Sequence, residues 1–356
     1  MIKKLLSHLW PFLFSILAWS VAIGLFLLIR WVGSQSLADW TPDTETLLLI
    51  WVASSVLLGI TFRFVLLLAE TRLFRARPYG LLILAKSMAM LVAAILVLVI
   101  RGAIAVAVGD MTTAAAWSEG VGLVTHPELA VLLLYVLLTT TAFGFVFQMS
   151  AMTGRRVLVN LLLGKYYHPK TETRIFMFLD LKGSTAIAER LGHEEFFRLI
   201  QECFRDLTDS AIRRNVEIYQ YVGDEAILTW RPEQGLEDCN CLRVFFDFKQ
   251  VYESRSEYYL EQFGVVPQFK AGANLGPVTV AEIGIIKRDI AYLSDVLNTA
   301  ARLESMCREH DAELLITESL KEALPHQVDL DCQPIGELEV RGKSERIGVF
   351  RVETCS

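Results

Sequence analysis

Two aspartates are the residues best able to do chemistry in this chain. Asp180 follows the apolar run Ile175-Phe176-Met177-Phe178-Leu179 and precedes Leu181-Lys182-Gly183-Ser184-Thr185. An apolar run bounded by turn residues predicts a buried strand over 175–181. Gly183, Ser184 and Thr185 then open a helix, and the free amides at a helix start receive anions such as phosphate. Asp224 lies in Gln220-Tyr221-Val222-Gly223-Asp224-Glu225-Ala226, where Gly223 and Asp224 predict a tight turn between two short strands. Two carboxylates at the ends of neighbouring strands can hold two divalent metals about 3.5–4 Å apart. Hard oxygen ligands beside a nucleotide phosphate suit Mg2+ or Mn2+.

Two further constellations fit the same chemistry. In Asn298-Thr299-Ala300-Ala301-Arg302 the spacing puts Asn298 and Arg302 on one helix face. An arginine there can meet charge on a transferring phosphoryl group, and an asparagine can orient a sugar oxygen. Arg341-Gly342-Lys343 reads as a turn between two strands, able to neutralise terminal phosphates. Taken singly, each group has a plainer reading. Asp180 fits a helix N-cap, Asp224 a hairpin tip, Asn298 and Arg302 a solvated helix face, Lys343 a turn cation and Gln220 a strand residue. Ala291 carries no functional signal of its own.

The elements that must position these residues follow in order. After the 175–181 strand comes a helix over 185–213, interrupted near Gly192-His193. Strands at 217–221 and 225–230 flank the Gly223-Asp224 turn, and a helix is expected over 236–262. A second hairpin is expected from 268–275 and 278–284 around Gly276-Pro277. A helix at 295–309, a strand at 313–316, a short helix at 318–324 and a closing hairpin at 336–352 complete the series. This order fits an α+β ferredoxin-like core with additions.

The rest of the chain has another character. Overall, 53% of the 356 residues are hydrophobic, and before residue 150 they form long charge-poor runs. Four stretches, roughly 10–32, 46–68, 80–108 and 128–149, reach the length of about 20 apolar residues that crosses a bilayer. The first is too long for a signal peptide and lacks a small-residue cleavage site, so it reads as an uncleaved anchor. Lys3, Lys4, Arg72, Arg75, Arg77, Arg155, Arg156 and Lys165 fall on one side of these spans, which the positive-inside rule makes the cytoplasm. Asp39, Asp43, Glu45, Asp110, Glu119 and Glu128 fall on the other. The N-terminus and the C-terminal domain are thus expected inside an inner or plasma membrane. Arg63, Lys86 and Arg101, in or near the spans, read as snorkelling cations; the sharper reading is a ligand or signal site within the bundle.

Net charge is −6, which gives no electrostatic ground for a nucleic-acid partner. All six cysteines follow residue 200 and read as reduced thiols in a cytosolic domain. The expected division is a four-helix transmembrane domain at 1–149, a helical connector at 150–169 and a catalytic domain at 170–356. Val157, Leu158, Leu161, Leu162 and Tyr166 recur near helical spacing in the connector, and Pro169 should end that helix at or before His168. Such a helix suits a dimeric connector, with an amphipathic stretch lying on the membrane as the alternative.

Four blocks together resemble the class III nucleotidyl cyclases, the adenylyl and guanylyl cyclase catalytic domain. They are Phe178 to Thr185, Val222 to Glu225, Asp295 to Glu304, and Arg341 to Lys343, in the order and spacing of that family. The resemblance covers about residues 170–353. It implies a membrane-bound enzyme in which the ribose 3′-oxygen of a nucleoside triphosphate attacks its own α-phosphorus and pyrophosphate leaves. By the same resemblance, Asp180, Asp224 and the Leu181 carbonyl hold two metals. Asn298 fixes the ribose, Arg302 meets charge on the α-phosphate, and Lys343 with Arg341 holds the outer phosphates. The acids and the Asn/Arg helix come from opposite protomers in that family, so a homodimer with two shared sites is implied.

The base-reading positions depart from the family pattern. Adenylyl cyclases usually carry Lys where this chain has Gln220, and Asp or Thr where it has Ala291; guanylyl cyclases usually carry Glu and Cys. Gln220 can bond either purine. ATP is the expected substrate, with GTP, or a degenerate domain that only binds nucleotide, as alternatives. A diguanylate cyclase is disfavoured because the double glycine of that signature is missing.

Overall fold

The computed structural model describes residues 2–34, 44–69, 79–108, 127–153, 159–160, 163–286, 288–325, 329–339 and 346–354. The chain divides into two compact units, Met1–Thr153 and Gly154–Ser356. The first holds α1 (Ile2–Ser34), α2 (Thr44–Ala69), α3 (Tyr79–Val108) and α4 (Pro127–Thr153). Stretches long and apolar enough to cross a membrane occur in three of them: Pro11–Ile29, Trp51–Leu68 and Ala130–Ser150. In α3 the apolar stretch found among the described residues is the shorter Gly80–Leu96, so the span expected over 80–108 is met only in part.

These helices are apolar on their outward faces as well as inside. Leu17, Val21, Val52 and Leu138 are exposed, while Trp19, Phe62, Met90 and Val136 are buried together. A helix hydrophobic all round needs an apolar surrounding. The inner contacts are specific. Trp19 meets Phe62 and Phe143 edge-on at 6.3 and 5.7 Å, and Trp51 donates its indole N–H to the Ser20 carbonyl at 2.7 Å. Arg63 places its guanidinium 5.9 Å from the centre of the Phe12 ring.

The second unit contains, in chain order, β1 (Lys170–Leu181), α5 (Ser184–Leu191), α6 (His193–Arg213), β2 (Glu217–Val222), β3 (Glu225–Trp230), α7 (Asn240–Ser254), α8 (Ser256–Phe263), β4 (Phe269–Ile283), β5 (Asp289–Leu293), α9 (Asp295–Met306), β6 (Leu314–Thr317), α10 (Glu318–Ala323), β7 (Leu330–Glu339) and β8 (Arg346–Thr354). The strands form one sheet in the order β2-β3-β1-β4-β6-β8-β7, with β5 paired to the far end of β4. The β4–β6 pair is parallel and the others are antiparallel.

β1 is apolar at consecutive positions because both faces of the sheet are covered. Successive side chains alternate faces. Ile175, Met177, Leu179 and Leu181 enter the large core with Leu207, Phe245, Phe248 and Phe269. Phe176 and Phe178 enter a second core with Val278, Val296 and Ala300. The second core fixes α9 against the sheet. At Gly272 an added Cβ would lie 2.2 Å from the Glu304 amide nitrogen, so only glycine allows α9 this close to β4.

Two expectations are corrected. No hairpin forms at Gly276-Pro277; β4 runs unbroken through both residues, with Pro277 opposite Thr173. A residue before proline is driven to extended backbone, and a Cβ on Gly276 would meet Val296 Cγ2 at 2.7 Å. The chain instead turns after β4, where Gly284 has φ +86°. The connector helix does not reach His168. Gly164 has φ +61°, and the Lys165 N–H donates to the Asn160 carbonyl at 2.9 Å. That is a glycine-terminated helix end. Residues 154–158 and 161–162 of the connector lie outside the described residues.

Candidate active site

The site is built from cross-strand register. Asp180 sits opposite Glu225 on β3 and opposite Lys270 on β4. Asp224 occupies the two-residue turn between β2 and β3, where Val222 pairs with Glu225 and Gly223 has φ +62°. A tight hairpin loop requires positive φ at such a position. The turn therefore delivers Asp224 to the end of β1 that carries Asp180.

This end of the sheet gathers negative charge. Asp180 Oδ2 lies 3.3 Å from Lys270 Nζ, and Lys270 also donates to the carboxylate of Glu304, which is buried on α9. Burial, then the charges of Asp224 and Glu304, push the Asp180 carboxyl up to about 7, against the opposing pull of Lys270. Burial, Glu304 and Asp224 likewise push Glu225 up to about 7. Burial alone would lower Lys270, but its hydrogen bond to Glu304 and the charges of Glu304 and Asp180 raise it. Four carboxyl groups thus share one ammonium group.

A divalent cation fits this donor set. The groups at hand are hard oxygens, and the raised carboxyls mark charge that another cation would neutralise. Among the described residues no group of three or more His, Cys, Asp or Glu side chains is arranged to hold a metal ion. A site of two carboxylates and a main-chain carbonyl has fewer acidic side chains than that. Leu181, whose side chain is buried in the core, is the residue after Asp180.

The remaining expected residues fall as follows. Gly183, with φ +69°, caps α5, and the first amides of Ser184 and Thr185 have no partner within the helix. The Lys182 N–H does not join them, because it donates to the Gln268 carbonyl at 2.8 Å. Asn298 and Arg302 both lie on the exposed face of α9, opposite its buried Val296, Thr299, Ala300 and Leu303. Gln220 is exposed on β2, just past a bulge at Tyr219 that resets which face follows. Ala291 lies on β5 opposite Ala281. Arg341, Gly342 and Lys343 lie outside the described residues.

Sequence reasoning gave Lys270, Glu225 and Glu304 no role. Glu225 and Glu304 stood within quoted motifs, and Lys270 stood in an expected strand. Only register shows that Lys270 and Glu225 flank Asp180.

Fold and site together define a mixed-sheet α+β domain with an acidic site at its strand ends. The chain belongs to the adenylate and guanylate cyclase catalytic domain family, which matches residues 166–353. Adenylate cyclase 2 of Rhizobium meliloti (strain 1021) is 35% identical over 230 residues, covering 65% of this chain and 63% of that protein. An adenylate cyclase of Anabaena cylindrica is 24% identical over 189 residues, covering 51% of this chain and 37% of that protein. The chain thus spans less than two thirds of the length of these relatives. A solved bacterial light-regulated adenylyl cyclase shares the fold, with a TM-score of 0.53 and 21% identity, over 65% of this chain and 67% of that one.

Proposed function

We propose that the protein is a membrane-bound adenylate cyclase that converts ATP to 3′,5′-cyclic AMP and pyrophosphate in a homodimer with two shared sites. The observation that carries this reading is the meeting of Asp180 and Asp224 at one sheet end in a chain of the cyclase family. The working division is a transmembrane domain at 1–149 with four spans, a connector at 150–169 and a catalytic domain at 170–356. The apolar α1, α2 and α4 support the membrane assignment, and the cytoplasmic placement of the catalytic domain rests on the flanking lysines and arginines.

Asp180, Asp224 and the Leu181 carbonyl would hold Mg2+ or Mn2+, two per site. When bound, such ions neutralise phosphate charge and lower the pKa of a coordinated hydroxyl. The chain's own groups supply the rest. Amides at Gly183, Ser184 and Thr185 receive a phosphate at the start of α5. Asn298 of the partner subunit orients the ribose so that its 3′-oxygen lines up with the α-phosphorus. Arg302 of the partner subunit meets the charge that grows on the α-phosphate as the bond to pyrophosphate breaks. Arg341 and Lys343 hold the outer phosphates. The 3′-oxygen loses its proton, gains the α-phosphorus and closes the ring, and pyrophosphate carries away the displaced oxygen.

Relatives named adenylate cyclase support ATP. The second reading is a guanylate cyclase, favoured by Gln220, whose amide both donates and accepts and so matches either purine edge. Purified protein with Mn2+ and either ATP or GTP decides between them by product mass. Cyclic AMP as the main product supports the proposal, cyclic GTP product (cyclic GMP) supports the alternative, and neither product contradicts both.

A further inference from the structure

Arg174 is the one fully charged side chain in the second unit that is nearly sealed from solvent among the described residues, at 1% exposure, and the cyclase chemistry above does not use it. It lies on β1, six positions before Asp180. Its Nε donates to Glu172 at 2.7 Å and an Nη donates to Glu217 on β2 at 2.8 Å. Its guanidinium lies 5.5 Å from the centre of the Tyr292 ring on β5. Burial opposes its charge, yet Tyr292 and the two glutamates raise its pKa further.

The network continues to the point where the connector joins the sheet. Tyr166 is 2% exposed and packs with Val280, Ile290 and Tyr292. Its hydroxyl donates to Glu172 at 3.3 Å, and its carbonyl accepts the Glu282 N–H at 2.8 Å. Tyr292 stacks edge-on with Phe176 and Tyr219, each at 5.2 Å. Both branches lead to the site. Beyond Tyr292, Ser294 caps α9 by accepting the Val296 N–H at 3.1 Å, and α9 carries Asn298 and Arg302. Beyond Glu217, Tyr219 forms the bulge before Gln220, and the strand ends at the Gly223-Asp224 turn.

A buried ionic network is a poor source of stability, since desolvation offsets most of its attraction; its best-attested use is to fix one arrangement over others. We propose that Tyr166, Glu172, Arg174, Glu217 and Tyr292 form a positioning network that couples the connector to both halves of the nucleotide site. Arg174 is its hub and a positioning residue, touching no substrate. The inference rests on the cyclase reading of the site. Rotation or shift of the connector moves Tyr166, and Arg174 passes that change to β2 and to β5 with α9.

The test uses the full chain in lipid nanodiscs with Mn2+ and ATP. One to four alanines are inserted after Val157, each turning a helical connector by about 100° and lengthening it by about 1.5 Å. In the otherwise wild-type chain, kcat should differ across the series by at least about fivefold, the usual scale of a coupling energy. In the Glu172→Gln, Arg174→Met, Glu217→Gln triple variant the series should flatten to within about twofold. Tyr166→Phe, which keeps the ring and loses only the hydroxyl, should flatten it partly and serves if the triple variant does not fold. A purely structural network would lower every member equally and keep the spread, which would overturn the proposal. A flat series in the wild-type background would overturn it too. Failure of every chain to make cyclic nucleotide, including the chain without insertions, would instead remove the cyclase reading and this inference with it.

Discussion

β4 and α9 touch through backbone at Gly272, which makes Gly272→Ala a sharp perturbation. The new methyl carbon would sit 2.2 Å from the Glu304 nitrogen and 2.3 Å from the Ala300 oxygen. Both are main-chain atoms, so no rotamer change relieves the overlap. Ordinary contact begins at 3.4 Å, so α9 must retreat by about 1.2 Å (3.4 − 2.2) in a core packed too tightly to absorb it. Overpacking of this kind costs about 1–3 kcal/mol, or a fall in Tm of roughly 2–12 °C for a unit of this size. The retreat also carries Asn298 and Arg302 with it. A misplacement near 1 Å lowers turnover by about a hundredfold while substrate binding suffers less. Thermal unfolding and steady-state kinetics with Mn2+ and ATP measure both effects. Gly144→Ala is the control, because its Cβ would meet only Ile83 Cγ2, at an ordinary 3.8 Å. An unchanged Tm would contradict the packing of α9 on β4. A lowered Tm with intact turnover would contradict a role for the outer face of α9.

Three further outcomes are expected. Asp224→Ala should abolish cyclic nucleotide formation and reduce the rise in Tm produced by Mn2+, while circular dichroism stays unchanged; retained turnover would reject the metal assignment. Glu304→Gln leaves the half-buried Lys270 with Asp180 as its remaining recorded ion-pair partner, and breaking such a pair should cost about 3 kcal/mol in chemical denaturation; a loss below about 0.5 kcal/mol would reject the pairing. Cys203, Cys239, Cys241 and Cys307 are buried, and burial pushes the Cys203 and Cys307 thiols up to about 12. Only the thiolate attacks a disulfide reagent, and a raised pKa lowers its fraction at any pH below that value. Native protein at pH 8 should therefore release no more than two equivalents from its six cysteines, with the remainder appearing on denaturation; prompt release of all six would contradict the buried placement.

The paired acids were legible because local chemistry announces them. An apolar run ending in Asp180 and a Gly-Asp turn at 223–224 each need only a few neighbouring residues to be recognised, and the α9 periodicity placed Asn298 and Arg302 on one face in the same way. Lys270 and Arg174 were not legible. A single charge in a strand reads as solvent-facing, and what surrounds it depends on register with strands far away in sequence. Asp180 lies opposite Lys270 across 90 positions (270 − 180), and no periodicity reports such a pairing. Gly276-Pro277 misled for the opposite reason. The dipeptide is a strong turn signal in isolation, but β1 on one side and Val296 on the other hold it extended. The connector's early end at Gly164 was hidden because Pro169, the louder breaker, stands five residues later.

Subunit complementation tests the shared site most directly. Chains bearing Asp180→Ala and chains bearing Arg302→Ala should each be inactive while folding and dimerising normally. After equal mixing and subunit exchange, half the dimers are mixed and each carries one intact site of two, so about a quarter of wild-type cyclic AMP formation should return. A mixture no more active than its separate components, with exchange verified by a tag on one chain, would contradict a site built from the acids of one protomer and the α9 face of its partner.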